Sequence, residues 1–166
     1  MRKIIKDRQI IEDNWHYLAS TDATPTKLVL PQGDIVVSLT AWQNCQEQLL
    51  AHQGKLGLCL QSDEEPSLVK DDLEHFALIA IDFPKFSDGR GYTSARELRA
   101  RYAYTGEIRA TGDVLRDQLY IMERCGFNAF EVREDRSLEE AMSAFDDFSF
   151  NYQADTRNQL PSYRKS

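Results

Sequence analysis

The stretch Leu78-Ile79-Ala80-Ile81-Asp82-Phe83-Pro84-Lys85-Phe86-Ser87-Asp88-Gly89-Arg90-Gly91-Tyr92 decides how this chain folds. Its first four residues are an apolar run of strand type. A loop rich in Asp, Lys, Arg and Gly follows, and a helical pattern resumes from Ser94, so the stretch reads as a strand, a functional loop and a helix. About thirty residues later the pattern recurs: Glu107-Ile108-Arg109-Ala110 runs into Thr111-Gly112-Asp113-Val114-Leu115-Arg116-Asp117-Gln118. Two strand-to-helix junctions with charged residues at the same end predict one shared pocket.

Neighbouring segments repeat the unit. Ile35-Val36-Val37 is a β-branched run. Thr40 and Gln43 form a capping-box pattern before the stripe Trp42, Cys45, Leu49 and Leu50, which predicts a helix ending near Gly54. Leu56 to Leu60 reads as a buried strand, and Pro66, Val69, Leu73 and Phe76 as a short helix before the strand Leu78 to Ile81. Ser94 with Glu97 predicts a second capping box, ahead of Ala95, Leu98 and Tyr102. Asp113 is the expected N-cap of a helix that buries Leu115, Leu119 and Met122 and stops at Cys125-Gly126. Phe127 to Val132 returns as a strand, and Ser137 and Glu140 cap a last helix with the stripe Leu138, Ala141, Met142, Phe145 and Phe148.

This alternation predicts parallel β-α units joined by right-handed crossovers. Before Asp34 the rhythm differs. Lys3-Ile4-Ile5 and Gln9-Ile10-Ile11 around Asp7-Arg8 predict a small N-terminal hairpin, with Trp15, Tyr17 and Leu18 covering an edge or end of the sheet. Four clear β-α units are too few for a closed eight-stranded barrel. The expected fold is therefore α/β, a partial, half TIM-barrel-like arc, with an open doubly wound sheet as the alternative. Residues 1–153 form the single predicted domain, 1–34 being its hairpin and cover segment, and 154–166 are expected to be a mobile polar tail. Exposed sheet edges would favour a homodimer.

Bulk composition excludes several function classes. The chain has 166 residues, 42 % hydrophobic, and no apolar stretch of membrane-spanning length or secretory pattern, so a cytoplasmic protein is expected. Cys45, Cys59 and Cys125 lack CxxC spacing, and His16, His52 and His75 lack ligand spacing, so no metal site is predicted. A net charge of -7 argues against nucleic acid or an anionic membrane as partner. Residues 85–136 nevertheless hold ten Lys and Arg against nine Asp and Glu, including nine of the thirteen arginines. Such arginine density suits an anionic ligand or a lattice of ion pairs.

Asp82, Lys85, Asp88 and Asp113 are the candidate catalytic residues, because acid, base and a lysine that burial could activate converge at one sheet edge. Arg90, Gly91, Tyr92, Arg96, Arg109, Gly112, Arg116, Asp117 and Gln118 are the candidate ligand- or partner-binding residues. Arg109 and Arg116 bracket the expected helix start at Gly112-Asp113, where free N–H groups would attract an anion. Salt-bridged loops and capped helices are the plain alternative for all of these charges. No nucleotide, zinc-protease or serine-hydrolase motif occurs, and no cofactor is specified.

The run Phe83 to Phe130, above all the blocks FPKFSDGRGY and GDVLRDQL, resembles a family of uncharacterised bacterial proteins typically encoded beside the haemoprotein subunit of assimilatory sulfite reductase. Similarity extends over about Ile35 to Gln153, and the family's characteristic residues fall on Asp82, Phe83, Pro84, Asp88 to Tyr92, Arg96, Arg109, Gly112, Asp113 and Arg116 to Gln118. The resemblance implies a role in sulfur assimilation and cysteine biosynthesis, under an oxidoreductase label that no cysteine pair, cluster ligand set or flavin loop in this chain supports. Two functions stay open. One is an accessory protein docking on the sulfite reductase haemoprotein or its electron donor. The other is an oxidoreductase or other enzyme that binds a small oxidised-sulfur anion.

Overall fold

The computed structural model describes residues 3–18, 30–84, 89–132 and 138–151, the side chains of 144 and 146–151 excepted. Lys85, Asp88, the 133–137 loop and the tail 154–166, all assigned roles from the sequence, lie outside the described residues.

Strands β1 (Lys3–Lys6) and β2 (Gln9–Glu12) form the expected antiparallel hairpin. Asp7 and Arg8 both take positive φ, 51° and 63°, in the two-residue turn whose twist matches the strands. The turn is anchored: Arg8 donates to both carboxylate oxygens of Glu123, at 3.0 and 2.7 Å, and lies over the Phe145 ring.

β3 (His16–Tyr17), β4 (Ile35–Ser38), β5 (Leu56–Leu60), β6 (Leu78–Phe83), β7 (Glu107–Gly112) and β8 (Ala129–Phe130) are mutually parallel. The sheet order is β2-β1-β8-β7-β6-β5-β4-β3. Among the parallel strands spatial order follows chain order, so every crossover steps the same way. With crossovers of one hand, the helices then share one face, whereas a doubly wound sheet needs a reversal of strand order. The sheet is accordingly a curled half-barrel.

Chain length confirms the curl. Glu12 ends β2 at one edge and His16 begins β3 at the other. Four Cα–Cα steps span at most about 15 Å, while seven strand spacings in a flat sheet would separate the edges by about 34 Å. Asp13-Asn14-Trp15 is therefore a short strap between two edges that the curl has brought close.

The outer, convex face of the sheet packs under the helices. Ile35, Val37, Leu58, Ile79, Ile81, Phe83, Ile108, Ala110 and Phe130 share one core with Trp42, Leu49, Phe76, Leu98, Met122 and Phe145. Residues of opposite parity, among them Val36, Ala80 and Ala129, are buried outside that cluster on the inner face.

Helix boundaries depart from expectation in three places. α1 (Leu39–Asn44) begins before Thr40, because Ser38 is the N-cap and its Oγ accepts from Ala41 N–H at 3.2 Å. α2 (Gln46–Leu50) follows at once. α3 (Arg90–Arg96) starts four residues before Ser94, which lies buried inside it, and it runs on as a π-helical turn, Glu97–Arg101. Asp113 caps no helix: a 3-10 turn, Arg116–Gln118, intervenes before α4 (Leu119–Cys125). Gly126, at φ +123°, ends α4 as expected. Pro66–Val69 and Leu73–His75 are 3-10 turns, β8 is only two residues long, and α5 (Leu138–Asn151) closes the described chain. No described helix is long and apolar enough to cross a membrane.

Candidate functional site

Alternation along β7 points Glu107, Arg109 and Thr111 to the inner face while Ile108 and Ala110 face the core. Arg109, 1 % exposed, is the centre of a buried network. Its Nη1 donates to Asp13 Oδ1 at 3.0 Å and to the Tyr17 hydroxyl at 3.4 Å, and its Nε donates to Glu107 Oε2 at 2.8 Å. Lys6 Nζ reaches the other Glu107 oxygen at 3.1 Å. Burial alone would lower the Arg109 pKa, but Tyr17, Glu107 and Asp13 together raise it, so the guanidinium stays charged. Burial also pushes the Tyr17 phenol above its ordinary value.

Toward the C-terminal ends of the strands the inner face becomes acidic. Thr111 Oγ1 donates to Asp82 Oδ1 at 3.4 Å, across a register that pairs Asp82 with Thr111. Burial raises the half-exposed Asp82 carboxyl above 3.8, and the Thr111 hydrogen bond opposes that shift. Gly112 closes this corner at φ +87°. A Cβ there would sit 2.5 Å from the Phe83 carbonyl oxygen and 2.7 Å from Asp82 Oδ1. Asp113 N–H donates to that carbonyl at 2.7 Å. Cys59, two strands from Thr111, has its thiol pushed up to about 12 by burial and by the charges of Asp82, Glu64 and Glu131. A thiol in that state is no nucleophile at neutral pH.

The fold thus divides the residues expected to share a pocket. Asp82, Gly112 and Asp113 meet at the strand ends, and Arg109 lies deeper on the inner face, held by carboxylates. Arg90, Gly91, Tyr92, Arg96, Arg116, Asp117 and Gln118 belong to the outer layer. Gly91 packs on Phe83, where a Cβ would come within 2.5 Å of the ring, and the Tyr92 ring centroid is 5.5 Å from that of Phe83. Arg116 Nη2 donates to Ser143 Oγ at 3.4 Å, while Arg96 and Asp117 are exposed and Gln118 is half-buried. Arg109 and Arg116 therefore do not flank a common anion site. Sequence reasoning missed Lys6, Asp13, Tyr17, Cys59 and Glu107. The alternation of polar Glu107, Arg109 and Thr111 with apolar neighbours was the available signal for a polar inner face. Among the described residues no group of three or more His, Cys, Asp or Glu is placed to hold a metal ion.

Fold and site together define a curled α/β half-barrel with an ion-paired inner face. Residues 57–163 match the family described as bacterial protein of unknown function (DUF934), and the chain belongs to that family. The matched span begins within β5, so the hairpin, the strap and β4 lie outside it. Comparison with curated proteins finds no match.

Proposed function

We propose that this protein is an accessory factor of assimilatory sulfite reduction, serving sulfur assimilation and cysteine biosynthesis by docking on the reductase haemoprotein or its electron donor. The biological setting comes from the family resemblance of the blocks around Asp82 to Tyr92 and Gly112 to Gln118. One observation carries the docking role: Arg109, the arginine best placed to hold a small anion inside the curl, is buried against Asp13 and Glu107. Arg90, Arg96 and Arg101 are instead exposed along the continuous helical segment 90–101. Exposed guanidinium groups steer and orient acidic partners more than they hold small molecules.

Co-expression with the haemoprotein, followed by size-exclusion chromatography with ultraviolet-visible spectra, tests this role. We expect a colourless protein that co-elutes with the haemoprotein, and loss of co-elution for the Arg90→Ala/Arg96→Ala double variant. Co-elution unchanged in that variant, or a visible chromophore on the protein alone, would overturn it. The same column reports whether two copies pair.

Asp82 supports a second reading, an enzyme acting on a small oxidised-sulfur anion. A carboxyl whose pKa is raised by burial, at the C-terminal end of a parallel strand, is placed for proton transfer. On that reading Asp82→Asn abolishes turnover and leaves docking intact.

A further inference from the structure

Asp13 is the buried residue of the strap. Glu12 and Asn14 on either side of it are exposed, whereas its carboxylate lies fully buried on the inner face. One oxygen, Oδ1, accepts from Arg109 Nη1 at 3.0 Å and from the Trp15 N–H at 3.2 Å, so a single atom both holds Arg109 and folds the strap. Arg109 Nε and Nη2 meet Glu107, which Lys6 shares. Within this ion-paired set two positive groups balance two negative ones. Buried ion pairs are seldom more stabilising than apolar side chains of the same volume, and their best-attested use is to set one arrangement against another.

The two moorings of the strap are unequal. On one side β2 pairs with β1 along four residues, and Arg8 in their turn grips Glu123. On the other side β3 is an edge strand of two residues, with the His16 N–H on the Asp34 carbonyl at 2.9 Å and the Leu18 N–H on the Val36 carbonyl at 3.0 Å. Short edge segments sit at the low end of local stability, so the strap opens from β3 first. Opening withdraws Asp13 and leaves Arg109, Glu107 and Lys6 with one net positive charge. A carboxylate from solution restores the balance, and a neutral molecule does not.

We propose that Asp13 is an internal stand-in for a ligand: the strap keeps a site for a small monocarboxylate shut, and such an anion opens it by replacing the Asp13 carboxylate on Arg109 Nη1. Because Asp13 is tethered, its effective concentration at Arg109 is at least millimolar, and a free anion has to outcompete it. Closed, the strap denies Arg109 to solvent anions; open, it exposes a cation on the floor of the curl. The inference rests neither on the docking role nor on turnover at Asp82.

Isothermal titration of the full chain with formate and with formamide at constant ionic strength tests it, together with hydrogen exchange over residues 13–18. Asp13→Asn keeps the shape of the side chain and an acceptor for Trp15 but loses the charge, so its strap competes less well. Formate should bind this variant at least about tenfold more tightly than the wild type, the difference between a charged and a neutral hydrogen bond to Arg109. Asp13→Ala, which deletes the fragment that formate replaces, should bind it more tightly again. Formamide, the neutral counterpart, should bind none of the three. In the wild type, formate should speed exchange at the Trp15 and Leu18 amides, whereas a ligand gripped beneath a closed strap would slow it. Thermal melting shows whether the variants fold, and the wild-type exchange decides the matter alone if they do not. The proposal is overturned if folded Asp13→Asn binds formate no more tightly than the wild type, if formamide equals formate, or if formate leaves exchange over 13–18 in the wild type unchanged or slower.

Discussion

Arg109 satisfies two carboxylates at once, Asp13 from the strap and Glu107 from its own strand, and a methionine of similar length would satisfy neither. Arg109→Met should therefore lower stability by about 3–5 kcal/mol in urea denaturation, because it takes the guanidinium from the buried Asp13 carboxylate and leaves Glu107 with Lys6 as its remaining ion-pair partner. A loss under about 1 kcal/mol would mean that the pair relaxes into water. Asp82 behaves in the opposite sense. Its folded pKa is raised, so as pH climbs past 3.8 the unfolded chain releases its proton before the folded one does. Stability falls across that interval and stays lower once both forms are ionised. Asp82→Asn, which still accepts from Thr111, should gain Tm relative to wild type between about pH 4 and about pH 7. A difference that stays flat with pH would show that Asp82 titrates alike in both states.

At the level of elements, the π-helical turn Glu97–Arg101 carries Arg99, whose side chain ties it to two others. Arg99 donates to the carbonyls of Gly126, Tyr104 and Gly106 at 3.0, 2.9 and 2.8 Å, satisfying the stop of α4 and the approach to β7. Arg99→Ala should destabilise by about 2–4 kcal/mol in urea denaturation, and Arg99→Lys should recover less than half of that, since an ammonium cannot span the three carbonyls. Full recovery by lysine would assign the effect to charge instead. The same element shows where local patterns stop being readable. Ser94 and Glu97 spell a capping box, yet tertiary contacts start the helix at Arg90, where Gly91 has to lie against Phe83. Thr40 lost its expected role to Ser38 two residues earlier, and Asp113 lost its own to a 3-10 turn. Strand positions and the hairpin were legible, because burial on both faces of a parallel sheet leaves continuous apolar runs. The partners of Arg109 were not: Asp13 is 96 residues away, and nothing local joins a charge in the middle of β7 to a strap near the N-terminus.

Over the whole molecule, the monotonic strand order selects the half-barrel, and the three-residue strap sets how tightly it must curl. Beside buried Val36, Ala80 and Ala129, the inner face carries the ion-paired set Lys6, Asp13, Glu107 and Arg109, where such barrels usually have apolar layers. The chemistry of the surface is divided accordingly, into an acidic rim at the strand ends and arginines along 90–101.

The hairpin also has a consequence in time. β1 pairs with β8, matching Ile5 to Phe130, so β1 finds this neighbour only after all the intervening parallel strands have been made. Until then Ile4 and Ile5, which end fully buried, have no sheet edge to join. Closure consequently waits for a long-range pairing, and any nascent chain that stalls short of β8 exposes an adhesive apolar hairpin to its surroundings.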